Sequence, residues 1–213
     1  MPAINPKAIL LDLDGTLADS LFVMRLSYHI FLKQFDREST NEEFDSLNGP
    51  PLQEIIKRLK HAHSLNESED VLLKNYFDII DHAYFSVKPR YGAISLLQKA
   101  KKKDCTIGIV TSNSTKRTQT WLVTVGLHNK IDFIVSGDDV RQGKPRPEPY
   151  FLASQLTSCP PDEIVAIEDS RHGAMSAVSA GLKTFVLSAA TNHTWPREVT
   201  LISSLVRVAK QLW

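Results

Sequence analysis

Five short apolar runs dominate what this chain can become: Ala8-Ile9-Leu10-Leu11, Thr106-Ile107-Gly108-Ile109-Val110, Phe133-Ile134-Val135, Ile164-Val165-Ala166-Ile167 and Thr184-Phe185-Val186-Leu187. None alternates apolar with polar residues, so each reads as a strand buried on both faces, as in a parallel sheet. Each of the last four is preceded by a helix-length amphipathic segment. One carries Ile94 and Leu97, one Thr118, Trp121, Leu122 and Val125 before Gly126, one spans about Tyr150–Leu156, and one runs from about Gly173 to Ala180 before Gly181. Repeated β–α units predict an α/β fold with a doubly wound parallel sheet. A final helix is predicted with Leu201, Leu205, Val208 and Leu212 on one face.

Between the first run and the rest the pattern is helical only. Leu21, Met24, Tyr28, Phe31 and Phe35 recur at three- and four-residue intervals, then Leu52, Ile55, Ile56 and Leu59, then Leu72, Tyr76, Ile79, Ile80 and Ala83. Asn48-Gly49-Pro50-Pro51 breaks the first two helices, and Asn66-Glu67-Ser68-Glu69 offers caps for the third. The reading is a core domain of residues 1–17 and 88–213 with an inserted α-helical cap domain of residues 18–87. Hinges are expected where the chain crosses, at Leu17–Ser20 and Lys88–Arg90.

Charge narrows the partners. Lys and Arg number 25 against 24 Asp and Glu, a net of +1, so no global field draws nucleic acid or an anionic membrane. No apolar run approaches the ~18 residues of a membrane span. The opening Met1–Lys7 lacks the charged start and apolar stretch of a signal peptide. Cys105 and Cys159 fit no metal or redox spacing, and Cys105 reads as a buried thiol. A reduced, cytoplasmic protein, monomer or homodimer, is the expectation.

In an open parallel sheet, ligands bind where strands end. After the first run stand Asp12-Leu13-Asp14-Gly15-Thr16, after the second Thr111-Ser112-Asn113, after the third Gly137-Asp138-Asp139 leading to Lys144, and after the fourth Glu168-Asp169. Asp12 and Asp14, two apart in extended backbone, point to the same side. Two carboxylates there can divide nucleophile and acid/base roles if a hard cation offsets their repulsion. Mg²⁺, with Asp169 as a further ligand, suits such oxygens. Gly15 permits close backbone approach, and Thr16 can turn an N–H or hydroxyl toward an anion. Thr111 offers a hydroxyl, while Ser112 and Asn113 are expected to open a helix whose N–H groups favour phosphate. Lys144 precedes Pro145-Arg146-Pro147-Glu148-Pro149, where proline limits its excursions. Singly, such motifs are turns, caps or surface charges. Two carboxylates after a buried strand are harder to dismiss, because buried charge is costly unless paired or metal-bound.

These four motifs, in order, resemble the haloacid dehalogenase (HAD)-like hydrolase superfamily, phosphatase type with a helical cap, over nearly the whole chain. Ile9–Ser20 is similar to its first motif, Val110-Thr111 to its second, Gly143-Lys144-Pro145-x-Pro147 to its third and Ile167–Ser170 to its fourth. The resemblance implies that Asp12 attacks phosphorus to form an aspartyl-phosphate and that Asp14 protonates the leaving oxygen, then activates water. It implies Mg²⁺ held by Asp12, the Asp14 backbone carbonyl and Asp169, with Glu168 nearby, and a phosphoryl group bound by Thr111 and Lys144. The halide-removing branch lacks the second aspartate. A Mg²⁺-dependent phosphatase of a small phosphorylated metabolite is therefore expected, against a sugar-phosphate mutase or a non-catalytic metabolite-binding protein. Leu47-Asn48-Gly49-Pro50-Pro51-Leu52 resembles the cap loop of phosphoglycolate-phosphatase-like members. Mutases of this architecture hold a bisphosphate with basic cap residues, for which Arg25, His29 and Lys57 are the candidates, the plainer reading being a solvated helix face. His61 and His63 do not share a helix face, and Lys101-Lys102-Lys103 suits a helix C-terminus.

Overall fold

The computed structural model describes residues 4–47, 50–188 and 195–213. The strands β1 (Ala8–Leu11), β2 (Thr106–Val110), β3 (Phe133–Val135), β4 (Ile164–Glu168), β5 (Lys183–Leu187) and β6 (Thr200–Ile202) form one all-parallel sheet in the order β3-β2-β1-β4-β5-β6. The chain winds outward from β1 through β2 to β3, then returns to β4 on the other side of β1. That reversal opens a crevice at the carboxyl ends of β1, β2 and β4. Leu11 pairs in register with both Ile109 and Ile167, so the polar residues that follow all three strands stand at one height.

The sheet is covered on both faces, as its uninterrupted apolar runs require. Ile9 and Leu11 belong to a cluster with Leu96, Leu97, Trp121, Leu205 and Val208, from α5 (Ala93–Lys102), α6 (Thr115–Thr124) and α9 (Leu205–Leu212). Ala8 and Leu10 face the other way, into a cluster with Tyr150, Ala153 and Ala177, from α7 (Glu148–Thr157) and α8 (Arg171–Ser179). Alternation along one strand thus assigns each face its helices.

Between β1 and α5 the chain is helical: α1 (Leu21–Lys33), α2 (Asn41–Ser46), α3 (Leu52–His63) and α4 (Glu69–Tyr84). Ser68 caps α4 by accepting from the Val71 N–H. The apolar cluster of the first sheet face continues without a break into these helices through Leu13, Leu17 and Val87 to Tyr28, Phe31 and Tyr76. The two crossings lie side by side: the Asp19 N–H donates to Lys88 O at 2.9 Å and the Arg90 N–H to Leu17 O at 2.8 Å.

Two elements differ from the sequence expectation. Leu201 lies on the edge strand β6 and is 44% exposed, not on the final helix; three residues are too few to register alternation, and Leu201 happens to continue the period of Leu205, Val208 and Leu212. Helix α2 has no counterpart among the expected helices, although Thr40 caps it by accepting from the Glu43 N–H. Ile94 lies outward on α5, where Ala93, Leu96, Leu97 and Ala100 are buried instead. Lys101 and Lys102 occupy the last turn of α5, and burial pushes the Cys105 thiol up to about 12. Among the described residues, no helix is long and apolar enough to cross a membrane. Asn48 and Gly49 of the expected cap loop lie outside the described residues.

Candidate active site

Three strand ends converge on Lys144. Its ammonium donates to Asp12 Oδ1 at 2.7 Å, Glu168 Oε1 at 2.6 Å and the Val110 carbonyl at 2.9 Å, the ends of β1, β4 and β2. All four residues are buried. Glu168 is fully enclosed. It also accepts from the Tyr150 hydroxyl at 2.8 Å and, through Oε2, from Ser170 Oγ at 3.2 Å and the Asp169 N–H at 3.2 Å. Gly173, at the start of α8, permits this arrangement: a Cβ there would meet Glu168 Oε1 at 1.9 Å.

Asp14 faces another way. Its Oδ1 accepts from the Tyr84 hydroxyl at 2.7 Å and its Oδ2 from Asn113 Nδ2 at 2.9 Å, so one carboxylate joins α4 to the end of β2. The turn after it is tight. Gly15 has φ +81°, and a Cβ there would meet Asp169 Oδ2 at 2.0 Å; its carbonyl accepts from Arg90. Thr16 is buried and its hydroxyl donates to Asp169 Oδ1 at 3.4 Å.

Electrostatics makes the acidic cluster costly as it stands. Burial, then Glu168, push the Asp12 carboxyl up to about 7 despite Lys144. Burial, then Asp12 and Glu168, push Asp169 well above the usual carboxylate range. Burial alone would lower the Lys144 ammonium, but Asp12 and Glu168 hold it above its ordinary value. Asp12, Glu168 and Asp169 each offer an oxygen within 4.8 Å of the others. This hard, anionic oxygen set fits a divalent cation, whose charge would offset the repulsion that raises both aspartates. The Asp14 carboxylate is not in that cluster; it is occupied by Tyr84 and Asn113.

A model of the family described as haloacid dehalogenase-like hydrolase matches residues 9–187. The chain belongs to that family. It is 30% identical over 190 residues to the pyrophosphatase PpaX of Bacillus velezensis, covering 83% of this chain and 81% of its relative. It is 26% identical over 178 residues to a phosphorylated carbohydrates phosphatase of Thermotoga maritima, covering 83% and 82%. Among solved structures it resembles CbbY from Rhodobacter sphaeroides in complex with phosphate, with a TM-score of 0.85 over 95% of this chain and 96% of that one, at 23% identity. This last likeness is one of fold. Within the HAD-like family the chain is of the phosphatase type, a hydrolase of phosphate esters.

The sequence-predicted residues of this HAD-like hydrolase fall into three groups. Asp12, Asp14, Thr111, Ser112, Asn113, Lys144 and Asp169 line one cavity, with Gly15, Thr16 and Glu168 packed behind. Neither Ser112 nor Asn113 opens the helix: Ser114 caps α6, and the Asn113 amide is spent on Asp14 and on Arg117. Asp138 and Asp139 do not reach the site. Asp139 accepts from the Ser136 N–H and hydroxyl and Asp138 from the Thr115 N–H, so both shape the loop after β3.

The basic candidates of the helical block point elsewhere. Arg25 bonds Asn41 and Asp45, His29 meets Ser39, and Lys57 is exposed; none lines the cavity. His63 meets Glu43 instead of pairing with His61. Sequence reasoning missed Tyr84, Tyr150, Arg90 and Arg117. Arg117 is buried, bonded to Asp81 and Asn113 with its guanidinium 5.0 Å from the Phe77 ring centre. Its only sequence signal is an arginine on the otherwise buried side of α6 beside Thr118 and Trp121.

Proposed function

We propose that this protein is a Mg²⁺-dependent phosphatase that hydrolyses a small phosphorylated metabolite through an aspartyl-phosphate, with residues 18–87 acting as a cap over a core of residues 1–17 and 88–213. The observation that carries the reading is the pair of carboxylates two residues apart with different surroundings: Asp12 bound at Oδ1 to Lys144, and Asp14 held through both oxygens by neutral donors. Lys144 fixes Asp12 so that its other oxygen can attack phosphorus in line. Asp14, steadied by Tyr84 and Asn113, gives a proton to the leaving oxygen and then takes one from the attacking water.

Asp12, the Asp14 backbone carbonyl and Asp169 would hold Mg²⁺, with Glu168 nearby. The cation would neutralise phosphoryl oxygens and screen Asp12 from the anion it attacks. Lys144 acts on the transferring group through its charge, the Thr111 hydroxyl binds it, and Ser112 with the backbone of Gly15 and Thr16 completes its cradle. Phosphatase relatives support the phosphoryl chemistry.

The test is inorganic phosphate release from a panel of phosphorylated metabolites, with and without Mg²⁺, by the wild type and Asp12→Asn. We expect Mg²⁺-dependent release by the wild type and a loss of at least about a thousandfold in the variant, in line with removal of a nucleophile. Retention of most Mg²⁺-dependent activity by Asp12→Asn would overturn the mechanism.

A further inference from the structure

Asn113 stands between Asp14 and Arg117. Its Nδ2 donates to Asp14 Oδ2 at 2.9 Å, and its Oδ1 accepts from Arg117 Nη1. Asn113 and Arg117 are each only 8% exposed. The Asn113 backbone is fixed as well, its N–H donating to the Thr111 hydroxyl at 3.0 Å and its carbonyl accepting from the Gly137 N–H at 2.9 Å. Arg117 is held in turn from α4, whose Tyr76 and Ile80 line the opposite side of the cavity, the roof. Its Nε donates to Asp81, and its guanidinium lies 5.0 Å from the Phe77 ring centre. Asp81, Arg117, Asn113 and Asp14 thus form an unbroken chain of hydrogen bonds that ends on the proposed acid/base group.

The two ends of a carboxamide are nearly equal in size, so only its partners decide which end faces where. Arg117 has donors and no acceptor. The end of Asn113 that meets it is therefore the oxygen, and the NH2 is left to Asp14. The opposite setting would put an acceptor beside Asp14 Oδ2. There it would repel the ionised carboxylate and, once Asp14 carries the proton meant for the leaving oxygen, would accept that proton itself. Tyr84 on the other Asp14 oxygen imposes no such direction, because a hydroxyl both donates and accepts.

We propose that Arg117 is a positioning residue: by fixing the Asn113 amide it keeps the Asp14 proton directed to the leaving oxygen. This rests on the phosphatase reading and adds a residue to it. As the bond from the Asp12 oxygen to phosphorus forms and the ester bond breaks, that proton passes from Asp14 to the departing oxygen. The consequence is selective. An alkoxide needs the proton to leave and so depends on Arg117, whereas a nitrophenolate leaves unaided. kcat/KM covers the steps up to departure of the alcohol, which separates this proton transfer from the later hydrolysis of the aspartyl-phosphate.

The experiment measures kcat/KM with Mg²⁺ for ethyl phosphate, glycerol 3-phosphate and p-nitrophenyl phosphate. The proteins are the wild type, Arg117→Met, Arg117→Lys, Asn113→Ala and the double variant Arg117→Met with Asn113→Ala; Asp12→Asn is the blank. Arg117→Met should lose at least about tenfold on the alkyl esters and less than about threefold on p-nitrophenyl phosphate. Asn113→Ala should show the same selectivity, and the double variant should lose no more than either single one, as for residues that act through one another. Arg117→Lys, which still only donates, should stay within about threefold of the wild type on the alkyl esters. Equal losses on all the esters, or additive losses in the double variant, overturn the role and leave the phosphatase reading standing as long as release depends on Asp12. A raised KM at constant kcat in Arg117→Met overturns it too, making Arg117 a substrate contact through its remaining N–H groups. Absence of Asp12-dependent release by the wild type from every ester overturns both readings. Where Arg117→Met folds poorly, Asn113→Ala decides: without ester selectivity there, the amide directs no proton and Arg117 has nothing to fix.

Discussion

On the floor of the cavity Lys144 and Asp14 are each fixed by hydrogen-bond partners: Lys144 by Asp12, Glu168 and the Val110 carbonyl, Asp14 by Tyr84 and Asn113. On the roof, a few residues away, Leu21, Met24, Phe44, Ile55 and Ile80 present hydrocarbon. Hydrogen bonds are directional and buried ions cannot be left alone, so the floor has one workable arrangement. Apolar contact is non-directional, and such a wall tolerates exchange among residues of similar volume. A change of chemistry should therefore cost far more on the floor than on the roof.

Lys144→Met tests the larger half of that contrast. It leaves Glu168 buried without its cation, and breaking a buried pair from one side costs about 3–5 kcal/mol. Denaturant unfolding should show a loss of that size together with abolished phosphate release. Adding Glu168→Gln should recover part of the stability and none of the activity. A single variant as stable as the wild type would mean that the floor is not held together by this ion.

The floor was also the more legible half, for a physical reason. Asp12, Thr111, Lys144, Glu168 and Asp169 stand at the ends of buried strands or follow one in a proline-rich loop, where an apolar run changes abruptly to polar residues in the one-dimensional text. Tyr84 and Tyr150 reach the same place from helices, and nothing in a helical period distinguishes a tyrosine that packs from one whose hydroxyl meets a carboxylate. Strand β6 was lost because three edge residues, one of them the exposed Leu201, carry no alternation. For Arg25, His29 and Lys57 the plainer reading holds: they are residue types that bind phosphate, but none of them lines the cavity.

The next effect in size is pH-linked. Asp12 is raised from its ordinary 3.8 to about 7 in the fold, so its contribution to stability is complete below the lower value and is lost as pH rises through the upper one. About 2 kcal/mol of that loss falls between pH 5.5 and 7. A cation among Asp12, Glu168 and Asp169 restores it where the carboxylates are ionised, whereas at low pH protons compete. The rise in Tm caused by Mg²⁺ over EDTA should then be larger by several degrees at pH 8 than at pH 5.5. Equal rises at the two pH values would mean that Mg²⁺ binds away from this cluster.

Tyr84→Phe addresses the joint between the two halves, since its hydroxyl runs from α4 to Asp14. One hydrogen bond contributes about 0.5–1.5 kcal/mol, so kcat should fall up to about tenfold with KM little changed, as for a positioning residue whose partner handles a proton. A raised KM at constant kcat would make Tyr84 a substrate contact instead.

Arg25→Ala should do least, and for that reason it discriminates sharply. The side chain is 38% exposed and pairs with the more exposed Asp45 at 3.2 Å, an ion pair worth at most about 1 kcal/mol. Its guanidinium lies 5.1 Å from the Phe44 ring centre, behind a residue of the roof, which adds about 0.5–1 kcal/mol. Loss of the cation should lower stability by about 1 kcal/mol and loosen Phe44 without altering the charge that faces a ligand. The KM for a phosphate monoester should rise no more than about threefold. The KM for a bisphosphate should not rise selectively. A selective increase of tenfold or more would place Arg25 on a second phosphate, and the contrast between an ionic floor and an apolar roof would fail at the point where the sequence first suggested a charge.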